Sequence, residues 1–180
     1  MSCRVIRRLV FRPLAIAVLL SIALQSGCSS APPLPAPPKQ LPPNDDLIVP
    51  GNRIGPVAIG MTSKQVLEAK GTPGDSTFRY TDAAVYPYDQ NEYSVVVDDV
   101  TQQVWRVETS SDEYRTAEGV GVGQSELEMR ANLGNPNSAT NEDNADPPTF
   151  LYCYDKGLAI YTFRGKIFKI SVFNPGNTCK

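Results

Sequence analysis

Two stretches of the chain carry the same order of apolar and polar positions, 63 residues apart. Gly60-Met61-Thr62 and Gly123-Gln124-Ser125 each open a short amphipathic run. The runs stop at Gly71 and Gly134, and a proline stands two residues further on, at Pro73 and Pro136. Thr62 with Gln65, and Ser125 with Glu128, have capping-box spacing, in which side chain and backbone satisfy each other's orphan donors. Val66, Leu67 and Ala69 form the apolar stripe of the first run, and Met61 is placed to staple against Val66. Leu127, Met129, Ala131 and Leu133 form the stripe of the second. The glycines supply the left-handed stop that a β-carbon disfavours. Each helix has about two turns, too few to stand without a sheet beneath it.

Strand patterns follow each helix. In the second half they cover Phe150–Tyr154, Leu158–Phe163 and Lys166–Phe173, with Asp155-Lys156-Gly157 and Arg164-Gly165 as turns. In the first half they cover Thr77–Tyr80, Tyr93–Val97 and Val104–Thr109. Alternation sends Trp105, Val107, Phe168, Ile170 and Val172 toward the helices, and Arg106, Glu108, Lys169 and Ser171 away. Tyr161 and Phe163 fall opposite Leu158 and Ile160. The offset of 63 also relates Trp105-Arg106-Val107 to Phe168-Lys169-Ile170. A repeat of this length is a whole supersecondary unit. The expected fold class is therefore α+β, as two tandem repeats over 51–113 and 114–180. Each repeat is a short helix packed on a three- to four-stranded antiparallel sheet.

The chain upstream has a different composition. Residues 1–12 carry four arginines and no acid, Leu14–Leu24 is an apolar run of 11 residues, and Gln25-Ser26-Gly27-Cys28 follows. A basic start, a short apolar segment and small residues describe a secretory signal over residues 1–27. Eleven residues cannot cross a hydrocarbon layer about 30 Å thick. Cys28 after Ser-Gly resembles a bacterial lipobox. That resemblance implies diacylation of the Cys28 thiol, cleavage after Gly27 and, with Ser29 next, transfer to the outer membrane. Residues 28–50 read as the lipidated cysteine and a tether, with prolines at 32, 33, 35, 37, 38, 42, 43 and 50. In polyproline form such a tether extends about 3.1 Å per residue.

Charge and cysteines narrow the function. Without residues 1–27 the chain keeps 13 basic and 19 acidic residues, a net charge of −6. An acidic surface argues against nucleic acid as a partner. Cys153 and Cys179 are the cysteines left beyond Cys28, and an oxidising compartment favours a disulfide between them. There is no histidine, so histidine-based triads and metal centres have no basis. Gly119–Gly123 lacks the strand and lysine of a phosphate loop. Asp98-Asp99 reads as a turn, and Glu142–Asp146 as a solvated loop without calcium-loop register. No catalytic residue, metal or cofactor is expected. The remaining feature is a set of aromatics on strands. Tyr161 and Phe163, with Arg106 and Lys169, are the candidate partner-binding residues if the helices cover the other face. Packing of the two repeats against each other would bury the aromatics instead.

Val57-x-Ile59-Gly60-Met61-Thr62-x-x-x-Val66, closed by Gly71-x-Pro73, resembles the helix signature of the small lipoprotein of the outer-membrane β-barrel assembly machinery. Gly157-Leu158 and Gly165 to Val172 resemble that family's closing hairpin. The tandem arrangement is similar to the β-lactamase-inhibitor proteins, which implies two α+β repeats joined in one curved sheet. Together the resemblances imply a non-enzymatic, lipid-anchored protein of the cell outer membrane, facing the periplasm, with an envelope protein as partner. An inhibitor or sensor docking on an exported enzyme or a cell-wall component is the alternative.

Overall fold

The computed structural model describes residues 43, 45–74, 77–80, 82–142, 146–177 and 179. Residues 1–42, with the expected signal and Cys28, lie outside them. The described chain is mostly β, with two helices and largely antiparallel sheets. One sheet has four short strands in the order β3 (Val57–Ala58), β2 (Arg53–Ile54), β1 (Leu47–Val49), β8 (Arg115–Thr116). The other has eight strands, all antiparallel to their neighbours. Their order is β4 (Phe78–Arg79), β5 (Ala83–Tyr88), β6 (Tyr93–Asp98), β7 (Val104–Thr109), β12 (Lys166–Phe173), β11 (Leu158–Phe163), β10 (Thr149–Tyr154), β9 (Ser138–Asn141).

The helices form where capping predicts. α1 (Ser63–Lys70) and α2 (Glu126–Leu133) each have a complete capping box, Thr62 with Gln65 and Ser125 with Glu128. Gly71 and Gly134 stop them with φ of 84° and 79°, as expected, but with ψ of −162° and −168° in place of the left-handed helical value. That region is essentially restricted to glycine. A β-carbon would meet nothing within 4 Å at either position, so backbone conformation and not space demands glycine there. The buried stripes are narrower than the periodicity suggests. Val66 and Met129 are buried, whereas Leu67 and Leu127 are 49% and 79% exposed and Ala131 is exposed. A two-turn helix on a twisted sheet presents one residue squarely to the core.

The same backbone contacts hold both helix starts to the sheet. Gly60 N–H donates to Val104 O and Gly123 N–H to Ile167 O, at 2.7 and 2.8 Å. Val104 N–H donates to Met61 O and Ile167 N–H to Gln124 O, both at 2.8 Å. β7 and β12, which carry these acceptors, pair with each other at the centre of the large sheet.

Both central strands contain a bulge. Val96 faces Arg106 and Val97 faces Val104, so Trp105 is the extra residue of β7. Tyr161 faces Lys169 and Thr162 faces Ile167, so Phe168 is the extra residue of β12. An extra residue breaks the period of two. Val104 and Val107, and likewise Ile167 and Ile170, thus all point into the main core. Trp105 and Phe168 do not face the helices as alternation predicts. Trp105 packs on the other face with Ala83, Val85 and Val96, and Phe168 is 40% exposed.

The expected tether ends before Pro50. Leu47–Val49 is a strand, Ile48 is buried, and Asp45 is held by Arg53 at 2.6 Å. The Pro50-Gly51 pair then makes the turn into β2, with Asn52 N–H donating to Val49 O at 3.0 Å and Gly51 at φ 67°. The small sheet closes the main core from the helix side. Buried Tyr93 of β6 donates its hydroxyl to Ile54 O at 2.6 Å. Burial pushes the Tyr93 hydroxyl well above its ordinary pKa, with Tyr114 and Asp89 adding to it. Lys70, at the end of α1, pairs with Asp89, donates to the Tyr114 hydroxyl at 3.3 Å and lies 4.5 Å over the Tyr93 ring. Burial alone would lower the Lys70 pKa, but the bonds to Asp89 and Tyr114 outweigh it and the net shift is upward.

Candidate functional site

The helices and the small sheet cover one face of the large sheet, and the other face carries a groove. Its floor is built from small side chains of β5 and β6: Ala83, Val85, Ser94 and Val96. Larger side chains stand around them: Trp105 and Arg106 of β7, Lys169 of β12 and Tyr161 of β11. Tyr80 and Phe78, at the β4 edge, and Glu142, just past the opposite edge strand β9, line the same hollow of 460 Å³. Opposite edges of one sheet can share a hollow only if the sheet curls toward it, as cumulative strand twist produces. The groove face is therefore the concave one.

Charge and aromatic rings are layered at its centre. Glu108 is shared by Arg106 at 3.6 Å and Lys169 at 3.7 Å. Arg106 stacks on Trp105 with its guanidinium 4.5 Å from the ring centre, and Lys169 Nζ lies 4.1 Å over Tyr161. These are cation–π contacts, strongest where water is excluded. The side chains of Arg106 and Glu108 are 13% and 20% exposed, so the charges are largely withdrawn from solvent. Burial raises the Tyr161 hydroxyl, Glu108 adds to the shift, and Arg106 opposes it. That hydroxyl therefore stays protonated at neutral pH and can both donate and accept a hydrogen bond.

Of the residues expected from sequence, Tyr161, Arg106 and Lys169 meet in this groove. Phe163 is on the same side of β11 but next to the Arg164-Gly165 turn, 41% exposed, with the Arg164 guanidinium 5.3 Å from its ring. Trp105, Ala83, Val85 and Tyr80 were not among the expected site residues. Beyond Tyr161 the C-terminal segment lies over the same face and borders a second hollow of 480 Å³, lined by Leu151, Cys153, Phe173, Pro175 and Cys179 among others. Cys153 of β10 is bonded to Cys179, which brings the C-terminal segment over Leu151, Ala159 and Phe173. Tyr161 packs against this cluster, so the disulfide supports one wall of the groove. Among the described residues no cluster of His, Cys, Asp or Glu is placed to hold a metal, and no helix is long and apolar enough to cross a membrane.

No family model and no curated protein matches the chain. Three solved structures match part of the chain. An extracellular SCP-domain protein from Bacillus anthracis gives a TM-score of 0.46 at 10% identity, over 64% of this chain and 44% of its own. A DUF4309 family protein from Bacillus subtilis gives 0.42 at 14% identity, over 63% and 78%. A candidate β-lactamase inhibitor protein from Streptococcus mutans gives 0.26 at 12% identity, over 60% and 79%. The chain thus spans less than half the length of the first. Similarity at this level carries no functional information, and no family membership follows from it.

Proposed function

We propose that the chain is a non-enzymatic binding protein of the cell envelope, held by a lipid at Cys28 and a proline-rich tether, which takes a protein partner in its concave groove. In this reading the folded part is two copies of one helix-on-sheet module. The paired helix starts, the bulges at Trp105 and Phe168, and the shared offset of 63 residues support the duplication. The carrying observation for function is the groove centre, where Trp105 and Tyr161 lie under Arg106 and Lys169 around one carboxylate. Tryptophan, tyrosine and arginine in a largely desolvated setting are the residue types that dominate protein–protein contacts. Envelope location rests on the Cys28 context and the tether composition.

Photo-cross-linking in cells that carry the full chain tests the surface. A photoreactive residue at Tyr80 or Phe168, on the groove side, should give one discrete protein adduct that Lys169→Glu abolishes. A reporter at Leu127, on α2, should give none. Adducts from Leu127 alone would move the contact to the helix face and refute the groove. Mass spectrometry of the chain from the same cells checks the anchor, and an unmodified Cys28 thiol contradicts it.

A further inference from the structure

A second hollow lies on the helix-covered side, between α1 and strands β5 and β6. It has a volume of 200 Å³ and is lined by Val66, Leu67, Pro73, Tyr86, Tyr88 and Val97, with Ser63 at its rim. α2 occupies the matching place over β10, and there side chains of the helix lie over the strand. The first, fourth and fifth residues of α1 are Ser63, Val66 and Leu67; those of α2 are Glu126, Met129 and Arg130. Met129 is fully buried. Arg130 pairs with Glu126 at 3.1 Å and its guanidinium lies 5.1 Å from the Tyr152 ring centre. Tyr152 is thereby buried, whereas Tyr86 under α1 is only half-buried. The Arg130 guanidinium, always charged, is hydrogen-bonded to Glu126 at 3.1 Å over the Tyr152 ring. In α1 a shorter core residue and two uncharged side chains stand where α2 has an ion pair, and the apolar wall is left open.

We infer that this hollow is a binding site for a small uncharged apolar group, a six-carbon ring or a short alkyl chain. No charged side chain lines it, so a charged ligand group would be buried without a partner. An apolar cavity of roughly 150 Å³ accepts a benzene-sized molecule, and this one is of that order. The site is independent of the groove, which lies on the opposite face of the sheet.

NMR titration of the full chain with 1-hexanol tests the inference. Saturable shifts are expected at Val66, Leu67, Tyr86 and Val97. Two variants rebuild the α2 pattern in α1. Ser63→Glu with Leu67→Arg changes two exposed helix positions into an i,i+4 ion pair over the mouth, and Val66→Met fills the floor. Each should weaken hexanol binding tenfold or more with an unchanged far-UV signal; if one variant fails to fold, the other decides. Vesicles of phosphatidylethanolamine and phosphatidylglycerol separate the possible sources. Shifts at the same residues on vesicles identify a lipid tail as the group, and shifts with hexanol alone identify a free ligand. Scattered or unsaturable shifts, or an equal response in the wild type and a folded variant, would overturn the site.

Discussion

The two halves of the folded chain differ most beneath their helices and in what lies over the groove side of the large sheet. Under α1 lies an apolar hollow; under α2, buried Met129 and the Arg130–Glu126 pair lie over Tyr152. On the concave face, Ala83, Val85 and Val96 form a groove floor, whereas Leu151, Ala159 and Phe173 lie beneath a segment held by the Cys153–Cys179 disulfide. The two halves share capping boxes, glycine stops, helix-start hydrogen bonds and bulges. They differ in the side chains placed over the strands beneath each helix.

Substitutions that break this contrast should differ most at the two buried helix residues. Met129→Ala removes a fully buried side chain and should cost about 3–4 kcal/mol in urea unfolding, within the range for large-to-alanine core changes. Val66→Ala borders an existing hollow and should cost about half as much. Replacing Cys153 and Cys179 together by serine opens a loop with a sequence separation of 26 residues and should cost about 3 kcal/mol. It should also loosen Tyr161 and the groove wall, visible as faster hydrogen exchange along β11.

A smaller effect joins the two sheets. Tyr93→Phe loses the buried bond to Ile54 O and should cost about 1 kcal/mol at neutral pH. The Tyr93 pKa is raised in the folded state above its ordinary value of 10.0. Its contribution is therefore complete below pH 10.0 and is lost as pH rises beyond it, because the unfolded chain releases the proton first. Tyr93→Phe should show a shallower fall in stability above that pH. The smallest contrast should be between the caps. Thr62→Ala and Ser125→Ala remove equivalent capping boxes and should each cost about 1 kcal/mol. A clear inequality there would mean that the helix starts are less alike than their hydrogen bonds.

Features set by neighbouring residues were legible in the sequence. The caps, the stops at Gly71 and Gly134, and strands β10 to β12 all follow from local pattern. Strand β5 was not, because Ala83-Ala84 is weak strand sequence and Pro87 argues against a strand with neighbours on both sides. Pro87 fits because β4 pairs only as far as Val85, and the Pro87 carbonyl, on that side, accepts from Gly74 N–H at 2.8 Å. Its missing donor faces no strand. The bulges defeated alternation at Trp105 and Phe168. Their trace is the spacing of three between Val104 and Val107 and between Ile167 and Ile170, which an unbroken pleat cannot bury together. The small sheet escaped notice because its strands are two or three residues long among glycines and prolines. Alternation placed Tyr161, Arg106 and Lys169 on the face away from the helices, where the groove lies. Their meeting with Tyr80 and Glu142 depends on the curl of eight strands, which no local pattern encodes.

Native-state hydrogen exchange, read separately for the amides of α1 and α2, tests most directly whether the two halves differ in how they are sealed. Their caps and lengths match, and Val66→Met separates the packing beneath α1 from the two helices' different first-turn charges. The 126–133 amides should open only with larger free energy than the 63–70 amides, and Val66→Met should narrow the gap. Equal protection of both helices, or stronger protection of α1, would contradict the contrast between the hollow beneath α1 and the covered strand beneath α2.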